Sequence, residues 1–375
     1  MDLYLLNMTE HNIKFIERTF GELERNEKPS FKDPYQIMSS LGPKMREAVL
    51  HNPSGYRKEE VCQILAVDGD VVVGATNPFS GRLLMNGEIV PCQNGSTLFS
   101  LENYRKENVG GDLFMQISNL HPMKNNFYSG ISQMALPLYR ALKYTVFGFP
   151  RLIYLRKSQS VVHALLHSEG WWTKPIIWLA DTSLILHRSL LRLSTNLRLS
   201  GYKIEEVTAV PNEVEAIVMS DKHPYMELHD KAWFEWSLNY SISEDERTKR
   251  RLYVMRKNER IEGFFLIKQE FFKQASGRGF KNVYLGSVME WGIAKDSQLR
   301  EKDIAILSLS CFDKNIDGVQ FASNELKTVK QLKRYLFVQV GKSNLGFRIK
   351  SIKDEAMKDI NNWRIRLAAS DTLLN

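Results

Sequence analysis

One stretch limits the possible folds more than any other: residues 97–118, TLFSLENYRKENVGGDLFMQIS. Residues 97–101 have the β-branched and aromatic character of a strand, residues 102–108 form a short basic turn, and a helix opens at Val109-Gly110-Gly111. A strand that feeds a helix through a glycine-containing turn leaves backbone N–H groups unpaired at the helix N-terminus. Those donors and the helix dipole together suit a phosphate or diphosphate. Arg105 and Lys106 add positive charge at the same point, and Gly110 and Gly111 allow a ligand close to the main chain.

YRKENVGG, residues 104–111, resembles the acyl-CoA loop of the GNAT superfamily of acyl-CoA N-acyltransferases. That loop reads Gln or Arg, two residues, Gly, one residue, then Gly or Ala. Arg105 takes the first place and Gly110 the last, while Asn108 stands where the family has its central glycine. Asparagine enters left-handed backbone angles more readily than most residues, which keeps the turn feasible. A second match follows in SQMALPLYRALKY, residues 132–144: Ala135, Leu138 and Tyr139 fit a family helix with an internal Tyr, and Lys143-Tyr144 replaces its closing Gly-Phe. The likeness covers residues 1–156.

The resemblance implies an acyl-CoA co-substrate (acetyl-CoA or another acyl-CoA), no metal, and a small amine acceptor. The diphosphate would lie on Arg105, Lys106, Glu107, Asn108, Val109, Gly110 and Gly111. Ser100 and Leu101 would meet the thioester through their backbones. Tyr139 matches the Tyr that protonates the departing thiolate, and Glu102 stands where the family places a carboxylate base. The later NNWRIRLAASD, residues 361–371, resembles GNAT proteins of bacterial polysaccharide and envelope genes, which points to an amino sugar or sugar nucleotide as acceptor. The alternative is a non-catalytic binding or scaffold protein that keeps the fold with a disabled site.

A chain of 375 residues is too long for one ordinary core. Asp68-Gly69-Asp70 between two β-branched runs and Gly87 between residues 82–86 and 88–92 signal hairpins. Hairpins that lead to a strand–turn–helix indicate an α+β fold. From Gly201 the same order of elements repeats, so two GNAT-like lobes are expected, each a mixed, mostly antiparallel sheet flanked by helices. Their bounds are residues 1–157 and 201–375, with a helical connector at 158–200 that contains an amphipathic helix at 184–199. In the second lobe the turn KDSQLREKD has no glycine, so that lobe is read as degenerate.

The net charge of +8, from 51 basic and 43 acidic residues, is modest over this length and shows no dense basic stripe. Neither nucleic acid nor a membrane is expected as a partner. Residues 176–193 are apolar but contain Asp181, His187 and Arg188, so they do not read as a bilayer span. Cys62, Cys92 and Cys311 lack ligand spacing and fit a reduced, cytoplasmic setting. His163 and His167 lie four apart with no third ligand nearby and read as ordinary helix residues. Glu290 interrupts an apolar strand and is expected either on a wet face or buried with a partner. Trp233, Phe234 and Trp236 read as helix core. No Walker loop, nucleophile elbow or Rossmann fingerprint occurs.

Overall fold

The structure, a computed structural model, describes residues 1–7, 43–55, 57–69, 71–166, 168, 170–241, 247–274 and 281–369. The apolar spacing of residues 12–23 and the stretch 34–50 before Pro53 each read as a helix in the sequence; the first, most of the second, and His167 lie outside these residues.

The first half runs β1 (Asp2–Asn7), α1 (Pro43–Leu50), β2 (Val61–Asp68), β3 (Val71–Met85), β4 (Glu88–Ser100), a 3-10 turn (Glu102–Glu107), α2 (Val109–Leu120), β5 (Asn126–Ser129), α3 (Leu136–Ala141) and β6 (Thr145–Leu155). Two connecting helices follow, α4 (Gln159–Leu166) and α5 (Thr173–Arg198). The second half runs β7 (Tyr202–Val207), α6 (Asn212–Met219), β8 (Tyr225–Glu227), α7 (Lys231–Asn239), β9 (Lys249–Lys257), β10 (Arg260–Gln274), β11 (Lys281–Ile293), α8 (Glu301–Ser308), β12 (Gly318–Ala322), α9 (Leu326–Arg334), β13 (Val338–Arg348) and β14 (Trp363–Arg364).

The hairpin glycines do what their sequence context demands. Asn86 and Gly87 have φ of 52° and 86°, the paired left-handed angles of a two-residue turn matched to strand twist. The sequence reads as two separate strands at 71–76 and 82–86, whereas β3 runs unbroken through Asn77-Pro78-Phe79. Pairing to β4 on one side and burial of Phe79 (4% exposed) hold that stretch extended despite the proline. Similarly, residues 145–155 form one strand and not two, because β13 pairs with them across Pro150. β13 itself was not expected: VQVGKSNLGFR lacks clean alternation, and strands on both sides fix it.

The fold is α+β, a large and mostly antiparallel sheet flanked by helices. Among the described residues fourteen strands join in one sheet, whose main path is β1-β2-β3-β4-β5-β13-β6-β12-β11-β10-β9-β7. The sequence halves interlock within it: β13 lies between β5 and β6, and β6 lies between β13 and β12. Among the described residues only β4–β5, β11–β12 and β8–β14 pair in parallel.

α2 packs on the first half through Val109, Leu113, Phe114 and Ile117, each at most 1% exposed. Their spacing sets one apolar face toward β2, β3 and β4, and each such burial stabilises the fold by about 1.5–3 kcal/mol. This face fixes where the helix N-terminus sits relative to β4.

Candidate acyl-donor cleft

β4 pairs with β3 as far as Gly74↔Ser100, but with β5 at Gln93↔Asn126 alone. Beyond that point the two parallel strands part, and the gap opens toward their C-terminal ends. The β3–β4 register slips between Ala75 (opposite Phe99) and Asn77 (opposite Ser96), so β4 carries one extra residue at 97–98. Such a bulge bends the strand and frees a backbone group from the ladder.

Amides in an antiparallel ladder alternate between the two edges. Leu101 N–H donates to Val73 O at 2.8 Å, so it is committed to β3. By the same alternation the Ser100 amide faces the opposite edge, the side from which β5 has parted. Of the two backbone positions expected at the thioester, Ser100 is placed to donate into the gap and Leu101 is not.

At the open end, Asn108 adopts φ 62° and ψ 18° and caps α2. Its side chain makes no capping hydrogen bond, and its carbonyl accepts the N–H groups of Gly111 and Asp112 at 2.8 and 3.0 Å. The N–H groups of Val109 and Gly110 are first-turn donors that α2's own carbonyls cannot reach. The two glycines serve different ends. A β-carbon on Gly111 would lie 2.4 Å from Asn108 Oδ1, so its absence makes room for that side chain. A β-carbon on Gly110 would meet only Ser100 Oγ at 3.8 Å, which leaves space at the helix tip. Val109 is buried and offers only its amide; Lys106 and Glu107 are exposed. Glu102 and Arg105 lie in the 3-10 turn, and their side chains are outside the described residues.

Tyr139 lies at 6% exposure in an aromatic cluster. Its ring centroid is 4.4 Å from that of Phe114 on α2, 5.3 Å from Tyr144 and 5.8 Å from Tyr128 on β5. The Tyr128 ring in turn covers Gly95 of β4, where a β-carbon would stand 2.7 Å from Cε1. Tyr139 is therefore joined to the cleft wall through one intervening ring.

Asn94 points to the opposite face of β4 from α2 and begins a polar chain that sequence reading missed. Its Nδ2 donates to Glu227 Oε1 at 2.7 Å. Glu227 Oε2 lies 3.4 Å from His229 Nε2, and His229 Nδ1 lies 2.5 Å from Glu290 Oε2. Glu290 Oε1 receives Arg364 Nη2 at 2.5 Å and Trp291 N–H at 2.9 Å. The Arg364 guanidinium also lies 3.2 Å from Asp221, and that of Arg366 stacks 3.4 Å over Trp291. Burial alone would lift the Glu290 carboxyl, but Arg364, His229 and Arg366 hold it below the usual carboxylate range. Burial opposes a charged His229, yet its bonds to Glu227 and Glu290 raise it above an ordinary histidine. Of the two fates expected for Glu290, burial with partners is the one observed. The single signal in the sequence was a lone carboxylate in an apolar run; Arg364 and His229 had none.

Trp233 and Trp236 are core residues that also line a cavity of about 20 Å³ beside Glu227, Asn94 and Arg82, room for one water. A cleft of about 630 Å³ shares Ser54, Ser80 and Gly81 with it and reaches Gln93, where β4 and β5 separate.

The second half repeats the parting strands with β11 and β12, but its helix tip is occupied by the chain itself. The Asp303 carboxylate, 1% exposed, accepts Arg300 N–H at 2.8 Å and pairs with Arg198 of α5. A built-in carboxylate stands where an incoming anion would bind. Phe312 also presses on Gly286 of β11, where a β-carbon would be 2.4 Å from the ring. Among the described residues no cluster of three potential metal ligands occurs, and His163 Nε2 faces Thr173 Oγ1 at 3.5 Å.

No family model matches the chain, and comparison with curated proteins gives no match. Solved structures do match. Saccharomyces cerevisiae N-myristoyltransferase with bound myristoyl-CoA superposes with a TM-score of 0.55 at 14% identity, over 93% of this chain and 83% of that one. The same enzyme with myristoyl-CoA and inhibitors gives 0.56 at 14% identity, over 93% and 80%. A GCN5-related N-acetyltransferase from Anabaena variabilis gives 0.50 at 11% identity, over 93% and 73%. With the parted β4 and β5 and the helix tip between them, this chain has the fold of the GNAT-like acyl-CoA N-acyltransferases.

Proposed function

We propose that the protein is an acyl-CoA-dependent N-acyltransferase that moves an acyl group, most simply acetyl, from CoA to a small amine. The observation that carries this reading is the gap between β4 and β5 with the Asn108–Gly110 tip of α2 at its open end. The diphosphate would take the amides of Val109 and Gly110 with the charges of Arg105 and Lys106. The pantetheine would run along the free edge of β4, and the thioester carbonyl would accept the Ser100 amide or one freed by the bulge at 97–98. The neutral amine attacks the carbonyl carbon, the C–S bond breaks, the thiolate takes a proton, and the amine loses one.

Tyr139 is our candidate for the thiolate's acid and Glu102 for the amine's base, the latter directly or through water. The acceptor, by the envelope-gene likeness an amino sugar or sugar nucleotide, is assigned to the cleft of about 630 Å³, a size in the ordinary range for small-molecule sites. We further assign residues 1–157 to donor binding and to the lining of that cleft, with 201–375 bounding the acceptor side through Glu227, Leu228, Trp233 and Trp236 at the adjoining cavity, in a cytoplasmic setting.

Calorimetric titration with acetyl-CoA and with longer acyl-CoA thioesters tests the donor. Binding that Gly110→Trp abolishes is the expected result; no heat at millimolar ligand, or binding indifferent to that substitution, removes the proposal. Thiol release on a panel of amines then tests turnover. A non-catalytic binding protein is the second reading, favoured by the committed Leu101 amide and by the depth of Tyr139 in its aromatic cluster. CoA binding without thiol release on any amine would select it.

A further inference from the structure

α5 is held to the body by a narrow strip: Thr173, Leu191 and Thr195 are its buried residues. The other side faces water with large apolar groups. Trp178, Leu179, Leu186, Leu190, Leu193 and Leu197 are each 57–73% exposed. Trp171, just before the helix, is 80% exposed, and Ile185 is 49% exposed. At about 100° per residue, Leu179, Leu186, Leu190, Leu193 and Leu197 fall in a strip roughly 60° wide. Trp178 and Ile185 on one flank and Ile176 on the other widen the apolar arc to about 180°, interrupted only by small polar residues such as Thr182, Ser189 and Asn196.

The width decides what covers it. A second helix would cover the strip and leave Trp178 and Ile185 in water. A flat apolar medium covers the whole arc. The charges agree: exposed Lys174 and Arg192 share the edge of the arc beyond Ile185, about 27 Å apart along the helix axis, with Arg192 at the rim of a cleft between α5 and the body. The helix's one acidic residue, Asp181, is turned inward, where its carboxylate accepts Ser158 N–H at 2.6 Å.

We propose that α5 lies on the surface of an anionic lipid bilayer, its apolar arc at the boundary of headgroups and acyl chains. Lys174 and Arg192 reach the lipid phosphates from the edge, and the tryptophans sit at the depth that indole rings prefer. No helix among the described residues is long and apolar enough to cross a membrane. The sequence expectation of no membrane partner rested on the modest net charge and on the absence of a span; a helix lying on the surface needs neither a span nor a dense basic stripe, and is a separate physical state.

Flotation of the full chain with phosphatidylcholine vesicles, with and without phosphatidylglycerol, tests this, with brominated lipid as a quencher of tryptophan emission. The protein is expected to float with the anionic vesicles and to be quenched there. Lys174→Gln with Arg192→Gln should weaken partitioning by roughly thirtyfold, at about fivefold per basic residue, with circular dichroism unchanged. Leu186→Ser with Leu190→Ser should abolish flotation. Wild-type protein that stays in solution with anionic vesicles at low salt overturns the proposal. So does a vesicle-independent dimer that Leu186→Ser with Leu190→Ser dissolves, since the face would then belong to a second copy.

Discussion

Replacing Glu290 by Gln tests how the polar chain behind β4 is held. Glu290 is 0% exposed and accepts from Arg364, His229 and the Trp291 amide. The substitution keeps the shape and one acceptor oxygen but removes the charge that faces two guanidiniums of 4–5% exposure. Removing one member of a buried pair costs about 3–5 kcal/mol, because the partner stays desolvated and uncompensated. Asp221 still lies 3.2 Å from Arg364 and shares that burden, which places the expected cost near the lower end, about 3 kcal/mol. Urea unfolding followed by tryptophan fluorescence measures it. Arg364→Met should cost a similar amount, and Glu290→Gln with Arg364→Met should cost less than the two singles together, a coupling of about 1–3 kcal/mol. NMR titration of His229 should show its pKa fall in Glu290→Gln, since one of its two carboxylate partners is lost. A Glu290→Gln protein within about 0.5 kcal/mol of wild type, the scatter of neutral surface changes, would refute the reasoning.

Three other outcomes follow from the geometry. Stability should peak in a window of pH: the His229 contribution is complete below its ordinary value of roughly 6.5 and is lost as pH rises through its raised folded value, whereas that of Glu290 is complete above roughly 4.3 and is lost as pH falls through its lowered one. Melting temperature against pH should thus decline on both sides, and Glu290→Gln should flatten both arms. Gly110→Ala, which meets only Ser100 Oγ at 3.8 Å, should change stability by less than about 0.5 kcal/mol by thermal unfolding. Gly286→Ala should cost about 1–3 kcal/mol in the same assay, because the Phe312 ring that it strikes is 5% exposed and enclosed.

The strand–turn–helix of residues 97–111 was legible because its signals are local. A strand, a left-handed turn residue and a helix tip follow one another within residues 97–111, and Asn108 takes the angle that its side chain tolerates. What escaped depends on partners far along the chain. β13 is polar and glycine-containing, and neighbours from the other half alone make it a strand. Committing the Leu101 amide takes Val73, and burying Glu290 takes Arg364; neither spacing is visible to a local reading. α5 began eleven residues before the expected amphipathic stretch, because its outward apolar side obscured the periodicity that burial would have produced.

The interlocked strand order bears on how the chain is made. β6 ends at Leu155, and the strand that must separate it from β5 begins only at Val338. While the ribosome adds the residues between, the emerging first half carries two unmated strand edges beside an unfilled slot. Such edges recruit foreign strands, so completion of synthesis, and any chaperone that shields the nascent chain until then, governs yield. A truncation after the connector would keep the parted strands and the helix tip yet lack the strand that closes the gap beside them.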